Sequence, residues 1–223
     1  MVVNYIYIHV CCINNWKDVF NHLYYDIKSS GLHDVVSRIK CSVLCEPESK
    51  TETEIYFSKL LLSDAKLELL GITCKISLYE THTINLLHKH ATESEEEFNV
   101  LYLHTKGVTR NNVNVDDWIK YMIYFNINEY KTCIDKLVDH DAVGVNLVNV
   151  YQLHYSGNFW WSKSSYIRKL KQCEHIHYNS PEFWLTEGKN GNFLSLWDSN
   201  INHYDERYQE DKYKINKLPS NII

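Results

Sequence analysis

Residues 99–107 read NVLYLHTKG, and this stretch decides how the rest of the chain is read. Asn99 to Leu103 has the apolar, β-forming character of a buried strand, and His104, Thr105, Lys106 and Gly107 then crowd its exit with polar and small groups. Before it, Thr81 can cap a helix reaching Ala91. The acidic run Glu93, Glu95, Glu96 and Glu97 that follows reads as a solvated helix end or loop. After it, beyond a polar loop, Trp118, Met122, Phe125, Ile134 and Leu137 form the apolar stripe of one long amphipathic helix. Asp141 to Val148 (DAVGVNLV) reads as a further strand.

The same alternation runs back to the start of the chain. Val2 to Cys12 is a buried strand by pattern. Trp16, Val19, Phe20, Leu23, Tyr24 and Ile27 recur at helical spacing, and Gly31 is placed to cap that helix at its C-terminus. Lys40 to Glu46 predicts a second strand, and Leu67 to Tyr79 one or two short ones. Strands alternating with helices predict an α/β layer structure, a mainly parallel central sheet flanked by helices. With no repeat and no linker, residues 1–198 form one domain, and residues 199–223 follow as a polar, irregular tail.

Composition removes several function classes. Across 223 residues, 23 Lys and Arg face 28 Asp and Glu, a net charge of −5, which argues against a nucleic-acid binder with a basic face. The seven cysteines are odd in number and lack CxxC pairing, the pattern of a reducing compartment. The N-terminus lacks a signal-peptide pattern, and no apolar run is long enough to span a bilayer. A cytoplasmic protein without a membrane span is expected.

Candidate chemistry gathers where an open α/β sheet binds ligands, outside the carboxyl ends of its strands. At the exit of NVLYL, Lys106 offers a point charge for a phosphate, Thr105 a hydroxyl, and Gly107 close backbone approach. The Asp139-His140-Asp141 triplet spells a metal-binding DxD, but it precedes its strand and reads as a polar turn. Asp116 and Asp117 suit a helix start, although their loop is placed to fold over a ligand. His88-Lys89-His90 and His175-Ile176-His177 lack zinc-site partners and read as surface histidines. The segment His154-Tyr155-Ser156-Gly157-Asn158-Phe159-Trp160-Trp161 sets a tight polar turn among aromatic faces, the mixture that sugars need. Ser180-Pro181-Glu182 opens a helix with Ser180 as N-cap, and Glu182 is a carboxylate suited to take a proton from an attacking hydroxyl. Glu187 is the alternative acid.

In this order the residues resemble the small GT-A-type glycosyltransferases of large DNA viruses of algae and amoebae, and related bacterial polysaccharide-synthesis transferases. The resemblance is carried by NYIYIHV with Asn15-Trp16, Ser30-Gly31-Leu32, Tyr79-Glu80, LYLHTKGV, Asp117-Trp118, VGVN, HYSGNFWWSKSSYI and PEFWL. It implies a single GT-A-like (Rossmann-like) domain acting as a hexosyltransferase, in the host cytoplasm if viral. A UDP- or GDP-type nucleotide-sugar would be the donor and a glycan or glycoprotein the acceptor. It further implies His9, Cys11 and Asn15 near the base or ribose, and His104, Thr105, Lys106 and Gly107 at the diphosphate. Asp117, His154, Ser156, Gly157, Asn158 and Trp160 would meet the sugars, with Glu182 as base if the mechanism inverts.

The chain departs from the family where many members carry a DxD, since His104-Thr105-Lys106 stands there. Either Lys106 neutralises part of the diphosphate, or Mg or Mn is held by other groups. The competing readings are a non-catalytic carbohydrate-binding module, with Tyr155, Phe159, Trp160 and Trp161 as its platform, and a nucleotide-binding α/β module without transfer.

Overall fold

A computed structural model describes residues 2–214 apart from 111, 175 and 189. Its central sheet has seven strands: β1 (Val3–Cys12), β2 (Arg38–Cys45), β3 (Leu67–Thr73), β4 (Phe98–His104), β5 (Ala142–Gly144), β8 (Trp160–Lys163) and β9 (Phe193–Ser195), with β6 (Leu147–Val150) and β7 (Gln152–Tyr155) forming a separate pair. The order across the sheet is β3-β2-β1-β4-β8-β5-β9. All neighbours run parallel except β8, which is antiparallel to both β4 and β5. This is the α/β architecture expected from the alternating pattern.

Helices α1 (Trp16–Ser29), α2 (Leu32–Val35), α3 (Lys50–Ser63), α4 (Thr81–Glu93), α5 (Val113–Ile123), α6 (Tyr130–Lys136), α7 (Ser164–Ile167) and α8 (Ser180–Trp184) cover the two faces. Strand alternation sorts the core. Ile6, Ile8 and Val10 of β1 and Leu101 and Leu103 of β4 pack with α1, α3, α5 and α6. Tyr7, Val100 and Tyr102 point the other way, against Ile84 and Leu87 of α4 and Trp184 of α8. Both faces of the sheet are therefore buried, which is why its parallel strands read as nearly continuous apolar runs.

Register brings the chemistry to one edge. His9 of β1 lies opposite Ser42 of β2 and His104, the last residue of β4, so β4 ends three residues before β1 and β2 on the same side of the sheet. β1 leads outward to β2 and β3, and β4 then returns on the other side of β1, a switch in strand order of the kind beside which open α/β sheets bind ligands. Because β8 runs antiparallel, with Trp160 opposite Tyr102, the turn before it arrives at that same edge.

Several local expectations are corrected. The long helix through Trp118 and Leu137 is two helices joined by a π-helical segment, Tyr124–Asn128. There the Asn126 carbonyl accepts the Trp161 indole N–H at 2.9 Å, and inserted hydrogen bonds of this kind go with π-bulges. DAVGVNLV is not one strand. Asn146, at φ 50, turns the chain out of the central sheet between β5 and β6. Beyond β3, Ile76–Leu78 is a single 3-10 turn instead of a strand. The polar tail is expected to pack on the domain or extend from it: residues 199–214 are mostly exposed but anchored by the buried His203, Tyr208 and Tyr213, and 215–223 lie outside the described residues.

Candidate active site

Lys106 leaves β4 half-buried, with its ammonium 3.8 Å from the centroid of the Trp118 ring. Burial lowers its pKa, and the carboxylates of Glu182 and Glu80 oppose that by favouring the charged form. A cation over an indole face in a partly dry setting is strongly held. Trp118 is positioned in turn by the C-terminal segment. It stacks on His203 with centroids 5.0 Å apart, and the neighbouring Asp117 is gripped by Arg207 through bonds of 2.7 and 3.3 Å.

Glu80 stands just ahead of α4 and is held from two sides. Its Oε2 accepts the Tyr102 hydroxyl at 2.9 Å and the Asn158 amide at 2.8 Å. Asn158 cannot turn over, because its Oδ1 accepts the Trp160 indole N–H at 2.8 Å. His104 donates from Nε2 to the Gly157 carbonyl at 3.0 Å, leaving Nδ1 3.9 Å from Glu80 Oε1. Burial, followed by the charge of Lys106, pushes the His104 pKa down to about 3. The imidazole is neutral at physiological pH, and the Glu80 contact is no ion pair.

Gly157 joins these groups through its backbone. Its N–H donates to Glu182 Oε1 at 2.7 Å while its carbonyl takes the His104 proton. The residue sits at φ 94, and an added Cβ would lie 2.4 Å from Met122 Sδ and 3.1 Å from Trp118 Cζ2. Met122 is itself fully buried. Gly157→Ala is therefore expected to cost about 2–4 kcal/mol, from left-handed strain plus overpacking. Denaturant unfolding checks this; a loss below about 1 kcal/mol would show that the turn is loose.

Of the residues singled out by sequence, His104, Lys106, Gly157, Asn158 and Glu182 converge. Gly107 adopts φ 93 immediately after Lys106. Thr105 is buried and structural: its Oγ1 accepts the Cys11 N–H at 2.9 Å and its own N–H donates to the His9 carbonyl at 3.0 Å, tying the two strand exits together. Cys11 and Asn15 lie half-buried at the exit of β1, and burial pushes the Cys11 thiol up to about 11.

Other assignments need correction. The His9 ring is buried against Thr83 Oγ1 at 2.8 Å, so it braces α4 and does not face a ligand. Asp117 is spent on Arg207, and Trp160 is a core residue stacked on Tyr102 at 5.0 Å. Tyr155, Phe159 and Trp161 are equally buried, which removes the proposed aromatic platform. His154 and Ser156 are not displaced in this way: both are half-buried beside the turn, His154 edge-on to Phe183 at 5.0 Å and Ser156 with its N–H on the Asn146 carbonyl at 2.9 Å. Asn179, not Ser180, is the N-cap of α8, and the Ser180 hydroxyl accepts the N–H groups of Ile176 and His177 instead. Glu187 is exposed, and His175 lies outside the described residues.

Sequence reading missed Glu80 as a site residue, although Tyr79-Glu80 stood out as a motif. It also passed over Arg110, Tyr178, His203 and Tyr204. An apolar groove of about 1090 Å³ opens at the other end of the sheet, between residues such as Val3, Val36, Phe98 and Tyr130. The convergent charged groups, Glu80, Lys106 and Glu182, lie at the carboxyl edge instead.

The family model for DUF8361, a domain of unknown function, matches residues 39–211. The chain belongs to the DUF8361 family. The matched span of this DUF8361 chain contains Glu80, His104, Lys106, Gly157, Asn158 and Glu182. Two solved structures of 4-diphosphocytidyl-2C-methyl-D-erythritol synthase are similar to it. The one from Anaerococcus prevotii DSM 20548 has a TM-score of 0.48 and 10% identity over 88% of this chain and 89% of that one. The second has a TM-score of 0.44 and 10% identity over 87% and 89%. No curated protein matches. No helix among the described residues is long and apolar enough to cross a membrane.

Proposed function

We propose that this protein is a glycosyltransferase of the GT-A type found in large DNA viruses, moving a hexosyl group from a UDP- or GDP-type donor to a hydroxyl of a glycan or glycoprotein. One observation carries the reading: a half-buried ammonium, Lys106, at the exit of β4 next to β1, within the field of Glu80 and Glu182 and near the Gly157–Asn158 turn. In the reaction the bond from the anomeric carbon to the diphosphate oxygen breaks, and the nucleoside diphosphate departs with the electron pair. Lys106 meets that growing negative charge in a site already organised to receive it. The acceptor oxygen forms the new bond to the anomeric carbon, and its proton passes to the Glu182 carboxylate.

We infer that the diphosphate is met by Lys106 and not by a divalent cation. Glu80 Oε2 already accepts two protein donors and Glu182 Oε1 accepts the Gly157 N–H. An ammonium also occupies the field between these carboxylates. Among the described residues no three His, Cys, Asp or Glu side chains form a metal-ligand set. Lys106 takes the role of countercharge to the diphosphate. Donor hydrolysis and nucleotide binding are accordingly expected to be unchanged by EDTA and to gain nothing from Mn or Mg. Activity lost to the chelator and restored by Mn would refute this.

The reading is tested by incubating the protein with UDP- and GDP-sugars. Slow donor hydrolysis and a thermal shift with UDP or GDP are expected. Absence of both across the panel, with and without Mn, would leave the carbohydrate-binding module as the better account.

A further inference from the structure

Three tyrosines remain exposed near the carboxylates, whereas Tyr155, Phe159, Trp160 and Trp161 of the HYSGNFWW segment turn inward. Tyr79, immediately before Glu80, is 41% exposed; Tyr178, just ahead of α8 and Glu182, is 70% exposed; Tyr204, from the C-terminal segment, is 48% exposed. The Tyr79 and Tyr178 rings meet edge to face, with centroids 5.4 Å apart at 81°. Tyr204 stands edge-on to Trp118 at 5.3 Å, and the Arg110 guanidinium lies over its face at 4.9 Å. These rings come from three distant parts of the chain. Partial burial and the charges of Glu80 and Glu182 hold the Tyr178 phenol above its ordinary pKa, and burial and Glu182 do the same for Tyr204. The Tyr79 backbone adds an independent sign, for a bulky residue at φ 44 and ψ −142 occupies a rarely populated region, of the kind retained at binding sites.

We propose that Tyr79, Tyr178 and Tyr204, with Arg110, form the acceptor subsite, and that its ligand is the saturated ring of a glycan sugar. This rests on the glycosyltransferase reading and supplies the aromatic platform that the buried Trp160 and Trp161 do not. Rings at 81° present one face and one edge; a base can stack on the same face, so nucleotide is measured beside sugar in the test. A puckered ring packs its C–H face on a phenol and turns its hydroxyls outward. Those hydroxyls would find acceptors in Glu80 and Glu182 and a donor in Arg110. Glu80 Oε1 and the neutral His104 Nδ1, two acceptors 3.9 Å apart, are suited to a hydroxyl proton placed between them.

The test measures sugar and nucleotide separately. Saturation-transfer NMR is recorded on the full chain with methyl glucoside, methyl rhamnoside, chitotriose and cellotriose. UDP and GDP binding is followed by calorimetry on the same samples. Transfer to the ring protons of at least one sugar is expected in the wild type. Its apparent affinity should fall about tenfold in Tyr178→Ala and in Tyr204→Ala and return in Tyr178→Phe, which keeps the aromatic face. Nucleotide affinity should stay within about twofold in Tyr178→Ala and Tyr178→Phe; Tyr204 packs on Trp118, which carries Lys106, so Tyr204→Ala is read through sugar binding alone. Sugar binding indifferent to both alanine changes, no binding by any of the four sugars, or loss of nucleotide instead of sugar would each overturn the proposal. Failure of the glycosyltransferase reading is distinct: sugar binds through the rim, but neither UDP nor GDP binds.

Discussion

Lys106→Ala is expected to abolish measurable UDP or GDP binding and to lower sugar transfer about 100- to 1,000-fold. The side chain is half-buried, and burial lowers its pKa. The charges of Glu182 and Glu80 favour its protonated form, and the alanine variant leaves those two carboxylates near an incoming diphosphate with no compensation. Part of any stability change would come from the lost contact with Trp118, worth about 0.5–2 kcal/mol. Lys106→Met separates the two effects by keeping an unbranched chain on the indole while removing the charge. Both variants should lose the nucleotide, and the methionine variant should retain more of the melting temperature. Arginine is not a neutral replacement, because its broad planar fork does not fit the place of a compact ammonium. Calorimetry with UDP and GDP decides the matter, and wild-type affinity in the alanine variant would end the proposed mechanism.

The same lysine sets a pH dependence. Nucleotide binding requires the charged amine, so affinity is retained below the Lys106 pKa and lost as pH rises through it. Burial brings that loss to lower pH than an ordinary lysine would show. In Lys106→Arg, whatever affinity remains should not fall over that range.

Glu182→Gln is expected to reduce transfer about 100- to 10,000-fold, the contribution of a positioned general base. The glutamine can still accept the Gly157 N–H that Glu182 Oε1 accepts at 2.7 Å, so the turn and the fold should persist. Nucleotide affinity should rise slightly, because one negative charge near the diphosphate is removed. Turnover and binding would thus move in opposite directions, which misfolding cannot produce. Transfer at the wild-type rate would remove Glu182 as the base and favour retention of configuration. Glu182→Asp tests reach: the shorter side chain withdraws from Gly157, and a partial loss is expected.

Much of this site was legible before any coordinates. Lys106 follows five strand-forming residues, and the ends of parallel strands are where α/β sheets bind ligands, so its place needed only local pattern and one architectural rule. Glu182 was found because Ser-Pro-Glu marks a helix start within one residue of the observed position. Glu80 could be singled out only as part of a motif. Its partners, Tyr102 and Asn158, lie 22 and 78 residues away in the chain, and no spacing rule joins them. α3 went unnoticed for another reason: only Thr53 and Phe57 of its 14 residues are buried, and such a helix leaves little apolar periodicity to detect.

By itself the sequence determined the alternation of strands and helices, the parallel sheet and the cation at the exit of β4, because each is written in neighbouring residues. The tertiary structure alone decided which aromatics are buried and which stay exposed. HYSGNFWW looks like a sugar platform as text, but β8 inserts antiparallel between β4 and β5 and sends Trp160 and Trp161 into opposite cores. A strand covered on both faces is apolar on both. Only its position in the sheet reveals that neither face is open, and that the exposed rings come from Tyr79, Tyr178 and Tyr204 instead.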